Sequence, residues 1–346
     1  MLPRPLFRAL LDIGARFSRP AHSEGQRLDP HMAVLLAGAR RAVDGRIEVA
    51  ALRRHYASLA PLTGLKPDRS VTARPASVAG CPGRLYHPAR AGRGSLLYFH
   101  GGGFILGGID SHDRLLRHLC AQACLPILAI DYRLAPEYPY PAAHEDALAA
   151  LRGALSILPS PLVVGGDSAG ANLAASVCLQ QPGAALQYLL YPIVDAVADE
   201  AERYPSASLY GQGFLLDMED LRACAGLISP GGDLGRVDWA GPRLSPMRHD
   251  LRAMPPALIT AAGFDPLRDQ AYAYAAALRQ AGVTAAVWLE PGLIHGFADF
   301  AGVIPGARRA VDRIAAQIRA ALDEIDREAV DGSATRRPLP NDAATG

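Results

Sequence analysis

Ser168 lies in the pentapeptide GDSAG (166–170), directly behind the apolar run PLVVG. A serine hydroxyl attacks a carbonyl carbon only when a base takes its proton, and the base needs a third group to orient it. With a nucleophile on a strand-to-helix turn, the acid and then the histidine follow the serine along the chain. Only His249 and His295 come after Ser168. His249 falls in an irregular stretch between Arg248 and Asp250, whereas His295, in EPGLIHGF, lies just beyond the apolar run AAVWL. His295 is therefore read as the base. The acid should sit at another strand end, and Asp265 follows PALITAAGF directly. Asp269 falls in the first turn of the next helix, where capping or the helix dipole explains a carboxylate. Asp265 is therefore read as the acid.

Attack on a carbonyl also creates an oxyanion, which needs donors already aimed at it. The stretch YFHGGGFILGG places three glycines, Gly101, Gly102 and Gly103, behind an apolar run. Gly102 and Gly103, with Gly101 beside them, and Ala169 after the nucleophile are read as the oxyanion donors. His100 precedes the serine and is read as a loop anchor. A phosphate loop is the weaker reading of GGDSAG, which lacks both a Lys-Ser/Thr ending and the Gly-x-Gly-x-x-Gly spacing.

These residues need a scaffold that brings them to one rim. From residue 95 onward, short apolar runs (SLLYFH, PILAIDY, PLVVGG, LQYLLYPIV, PALITAAG, AAVWLEP) alternate with helical patterns. Such runs predict parallel strands buried on both faces, in a doubly wound α/β sheet with ligands at the carboxyl ends of its strands. Gly166 and Gly170 keep the turn at Ser168 small, where strand and helix backbones crowd. Residues 1–62 read as helical, 63–198 and 251–328 as the catalytic core, 199–250 as an insertion folding over the site, and 329–346 as a disordered tail. In the first segment, Leu6, Leu10, Leu11 and Ile13 can share a helical face, expected to cover the protein's own site.

With 346 residues, half of them apolar, the chain can bury a large core. The net charge is +1, Lys66 is the only lysine and no basic stripe appears, which argues against a nucleic-acid partner. The arginine-interrupted N-terminus is a poor signal peptide, and no stretch is long and apolar enough to span a bilayer, so stable membrane insertion is not expected. The cysteines Cys81, Cys120, Cys124, Cys178 and Cys224 form no paired CxxC units and read as buried free thiols, which suits the cytoplasm. No histidine cluster has metal-ligand spacing, and no metal or cofactor is expected.

Together, HGGGF (100–104), DYRLAPE (131–137), GDSAGANLA (166–174), YP (191–192), DPLRD (265–269) and HGF (295–297) resemble the bacterial hormone-sensitive-lipase-like carboxylesterases. These form a branch of the α/β-hydrolases, and the motifs occur in that family's order over about 200 residues. Ala171 stands where many of its members carry a further glycine. The resemblance implies an α/β-hydrolase fold with a mainly helical cap and a small-molecule ester as substrate. It also implies a charge network among Asp131, Arg133 and Glu137, and it allows a homodimer. Two alternatives remain at this stage: another acyl hydrolase acting on amides, lactones or aggregated lipid, and a ligand-binding protein on the same scaffold.

Overall fold

A computed structural model of the protein describes residues 3–39, 48–197 and 203–331. Its centre is an eight-stranded sheet. Strands β3 (Thr72–Val78) and β4 (Cys81–His87) form an antiparallel pair at one edge. Next come β5 (Ser95–Phe99), β6 (Ile127–Ile130), β7 (Leu162–Asp167), β8 (Leu186–Leu190), β9 (Ala257–Phe264) and β10 (Ala285–Ile294). The spatial order is β10-β9-β8-β7-β5-β6-β4-β3, and β5 to β10 are mutually parallel. Every apolar run read as a strand is one. β5, β6, β7, β8 and β9 are buried at every position, as strands covered on both faces must be.

The covering helices are α4 (Ile109–Ala123), α5 (Ala142–Ile157), α6 (Ala169–Gln180), α9 (Arg268–Gln280) and α10 (Pro305–Asp331). Two apolar clusters result, one on each side of the sheet. One joins Leu116 and Leu119 of α4 to Ile314 and Ile318 of α10. The other joins Ala147 and Leu151 of α5 to Leu173 of α6 and Tyr274 of α9.

The N-terminal region holds α1 (Arg4–Phe17), α2 (Pro30–Ala39) and α3 (Val49–Thr63). It is not wholly helical: β1 (His22–Ser23) and β2 (Gln26–Arg27) form a small antiparallel ribbon. The Asp29 carboxylate accepts the amides of His31 and Met32, so the Asp-Pro signal does cap α2. The apolar face expected on α1 is divided. Leu11 is buried, but Leu6, Leu10, Ile13 and Phe17 are exposed, Phe17 by 82%. The reason is that α1 packs through the Leu11 side, with Gly14 lying tight against Val34 of α2, and leaves its other apolar stripe outward.

Helices α7 (Pro205–Tyr210) and α8 (Met218–Ile228) give the stretch between β8 and β9 more regular structure than its composition suggests. It is fastened at buried Asp195, which receives Arg203, Arg248 and the Tyr204 hydroxyl. Asp269 fastens it again by accepting the Ser206 amide. Among the described residues, no helix is long and apolar enough to cross a membrane. The tail expected from 329 starts later, since α10 runs on to Asp331; residues 332–346, like 1–2, 40–47 and 198–202, lie outside the described residues.

Candidate active site

Each element contributes its side chain at a carboxyl end of the sheet. β7 ends at Asp167, and Ser168 turns the chain into α6 with φ +53° and ψ −119°. That is a costly conformation for a residue with a Cβ, of the kind stored at functional sites. The crowding that excludes side chains beside it is measurable. A Cβ on Gly166 would lie 2.4 Å from the Gly170 carbonyl carbon, and one on Gly170 would lie 2.0 Å from the Phe99 oxygen.

His295 follows β10, and its Nε2 lies 2.8 Å from Ser168 Oγ. Its Nδ1 lies 2.9 Å from Asp265 Oδ2, and Asp265, just after β9, is fully buried. The second Asp265 oxygen accepts the Leu267 amide at 2.8 Å, which fixes the carboxylate plane. With Nδ1–H donated to that carboxylate, Nε2 is left as an acceptor for the serine hydroxyl. The Tyr191 ring packs against the imidazole with 4.8 Å between centroids. His249 instead faces the Ala240 carbonyl, away from this site.

The glycine loop leaves β5 beside Ser168. Gly102 and Gly103 have φ +118° and +63°, which only glycine adopts readily. Among the described residues, neither of their amides has an acceptor within the chain. Ala169 opens α6, where the first N–H groups lack intrahelical partners. Gly101 differs from its expected role: its amide donates to Asp167 Oδ1 at 2.9 Å and so points into the protein. His100 is buried, and its Nδ1 lies 2.8 Å from the Gly101 carbonyl, as suits a loop anchor. Burial and the neighbouring His112 lower its pKa to about 3, so it stays neutral.

The expected network within DYRLAPE does not form. Arg133 reaches Asp146 and Glu145 on α5, and Glu137 pairs with Arg53 of α3. The fold brings carboxylates of α5 and the guanidinium of α3 to these side chains, and such partners displace the nearer residues of the motif. Arg53 also donates to the carbonyls of Ile105 and Ala135, so α3 grips the segments behind the glycine loop. Tyr56 of α3 donates to Asp299, four residues past His295. Cys224 of α8 faces the loop directly, its sulfur 2.9 Å from where a Gly103 Cβ would stand. Cys81, Cys120 and Cys178 are buried as expected, but Cys124 is exposed and Cys224 only half-buried. Among the described residues, no group of three or more metal-ligating side chains assembles.

The sequence assigns no site role to Asp167, His112, Tyr191 or Cys224. Asp167 lies inside the nucleophile motif and was visible there, but its partners come from other elements.

The geometry defines a serine hydrolase-type site on a parallel sheet, and comparison with known proteins agrees. A family described as having the alpha/beta hydrolase fold matches residues 96–299. A carboxylic ester hydrolase, LipN, of Mycobacterium tuberculosis is 37% identical over 327 residues, covering 87% of this chain and 85% of the relative. An ethyl acetate hydrolase of Pseudomonas putida is 38% identical over 258 residues, covering 69% of this chain and 78% of the relative. Among solved structures, a Pyrobaculum calidifontis esterase superposes with TM-score 0.75 at 29% identity, covering 83% of this chain and 97% of that one. The chain belongs to the α/β-hydrolase superfamily, in its hormone-sensitive-lipase-like branch.

Proposed function

We propose that the protein is a serine carboxylesterase that hydrolyses small carboxylic esters through an acyl-enzyme. Three residues act in sequence. His295, oriented by Asp265, takes the Ser168 proton as Oγ attacks the ester carbonyl. The amides of Gly102, Gly103 and Ala169 receive the negative charge on the tetrahedral oxygen. His295 then protonates the departing alcohol. In the second half-reaction it takes a proton from water, which attacks the acyl carbon, and returns that proton to Ser168 as the acid leaves. Gly101 stands behind the donors rather than among them.

The observation that carries this reading is the continuous chain from Ser168 Oγ through His295 to buried Asp265, at 2.8 and 2.9 Å. The relatives' ester hydrolase activities support it independently. The described parts of residues 1–62 and 199–250 act as a cap over the glycine loop. Arg53 on the loop's neighbours and Cys224 against Gly103 support that role. The family resemblance, with an ethyl acetate hydrolase among the relatives, favours short and medium acyl chains, and free cysteines fit a cytoplasmic enzyme. Turnover of p-nitrophenyl esters of graded chain length tests the proposal. The expected profile peaks at short to medium acyl groups and is abolished in Ser168→Ala. Turnover that survives in Ser168→Ala would contradict it.

A further inference from the structure

Behind the nucleophile lies a buried pair of charged groups that the reaction itself does not use. Asp167 is 5% exposed and immediately precedes Ser168. Its Oδ1 accepts from the Tyr98 hydroxyl at 2.8 Å and from the Gly101 amide at 2.9 Å. His112 of α4 is fully enclosed, with Nε2 3.3 Å from Asp167 Oδ1 and 3.4 Å from Oδ2. The other His112 nitrogen lies 2.9 Å from Ser111 Oγ and 3.3 Å from the Gly108 carbonyl. Ser111 Oγ itself donates to that same carbonyl at 2.8 Å. Both ring nitrogens therefore face acceptors, the arrangement of an imidazolium.

We propose that Asp167 and His112 are positioning residues that clamp both ends of the glycine loop and hold its amides at a fixed distance from Ser168. The proposal rests on the esterase reading given above. Asp167 takes hold of the start of the loop at Gly101 and is joined covalently to the nucleophile. His112 takes hold of the end of the loop at Gly108 and neutralises Asp167. The fit is close: a Cβ on Gly101 would stand 2.3 Å from Asp167 Oδ2, so the loop lies flat on the carboxylate. The pKa shifts agree in direction, with Asp167 lowered and His112 raised to about 9 by its carboxylate partner. Stability alone gives little reason for such a pair, because apolar replacements of buried ion pairs are often neutral or stabilising. Catalytic placement gives a strong one, because a misplacement of about 1 Å can cost roughly 100-fold in rate.

The test measures kcat and KM per active site, counted by titration with a fluorophosphonate, for Asp167→Ala, Asp167→Asn, His112→Gln and Tyr98→Phe. The loop donors act in the transition state, so the losses belong in kcat. Asp167→Ala should lose about 100-fold in kcat, with KM within about threefold of the parent. Asp167→Asn can still accept from Gly101 and should lose about tenfold, as should His112→Gln. Tyr98→Phe should lose about threefold. A kcat per titrated site within twofold of the parent in Asp167→Ala and His112→Gln would overturn the proposal, as would losses that appear only in KM or only in melting temperature. Should Asp167→Ala not fold, unchanged kcat in Asp167→Asn and Tyr98→Phe would overturn it equally. The same series includes Ser168→Ala. Activity surviving there overturns the esterase reading and this one together, while unchanged Asp167 variants beside an inert Ser168→Ala overturn the clamp alone.

Discussion

Gly170→Ala adds one methyl group at the most crowded point of the site. Its Cβ would stand 2.0 Å from the Phe99 carbonyl oxygen and 2.6 Å from that of His100, and real Cβ contacts below 3.0 Å essentially never occur. Both obstacles are backbone, so β5 and α6 must part by about 1 Å. The end of β5 leads directly into Gly101–Gly103, and the start of α6 carries Ala169 and follows Ser168. The methyl group therefore separates the oxyanion donors from the nucleophile. A shift of that size predicts a fall in kcat of roughly 100-fold. Overpacking adds a stability loss of about 1–3 kcal/mol. In a chain of this size that lowers the melting temperature by only a few degrees. Steady-state kinetics on p-nitrophenyl butyrate, normalised by fluorophosphonate titration, would be compared with thermal unfolding followed by circular dichroism. A variant that unfolds several degrees lower yet keeps kcat within threefold would refute the link between this crowding and the oxyanion geometry.

Asp265→Asn keeps the shape of the acid but not its polarity. Its oxygen would take the Leu267 amide, as Oδ1 does now at 2.8 Å, and would turn an NH2 group toward His295 Nδ1. The imidazole is then forced into the wrong tautomer, and kcat should fall by about 10⁴ with little change in melting temperature; a loss below tenfold would count against the triad. His100 and His144 are buried, with pKa values lowered to about 3 and about 4. The unfolded chain binds these protons near pH 6.5, so stability is intact above that pH and drains as pH falls toward 4. The two together give on the order of 2–3 kcal/mol per pH unit. Denaturant titrations of His144→Gln should show a shallower acid limb, and an unchanged limb would refute the assignment. Burial pushes the Cys224 thiol up to about 11, so maleimide should inactivate slowly at pH 7 and about tenfold faster per pH unit above it. Cys224→Ala should abolish this, and inactivation persisting in that variant would show that the thiol facing Gly103 is not the one that blocks turnover.

Much of the fold was legible because burial on both faces leaves unbroken apolar runs, and each of those runs proved to be a strand. The candidate site was legible for a related reason. Parallel strands all point the same way, so a residue just past one run's end is brought to the same rim as a residue past another's. That rule picked out Ser168, Asp265 and His295 and discarded His249. It could not say where a backbone amide points. Gly101 belongs to a run of three glycines that reads as a row of donors, but the destination of its N–H depends on Asp167, a residue distant in sequence. Charge pairing failed for the same reason: Glu137 pairs with Arg53, from a helix far earlier in the chain, rather than with Arg133. An amphipathic pattern on α1 announced an apolar face without saying which half of it would be covered.

One serine, Ser168, activated by His295, carries the proposed chemistry. Labelling the intact protein with a fluorophosphonate and mapping the adduct by peptide mass spectrometry tests this most directly. A single modified residue is expected, Ser168, with labelling lost in Ser168→Ala and slowed by orders of magnitude in His295→Ala. An adduct on another residue, or labelling as fast without the imidazole as with it, would contradict it.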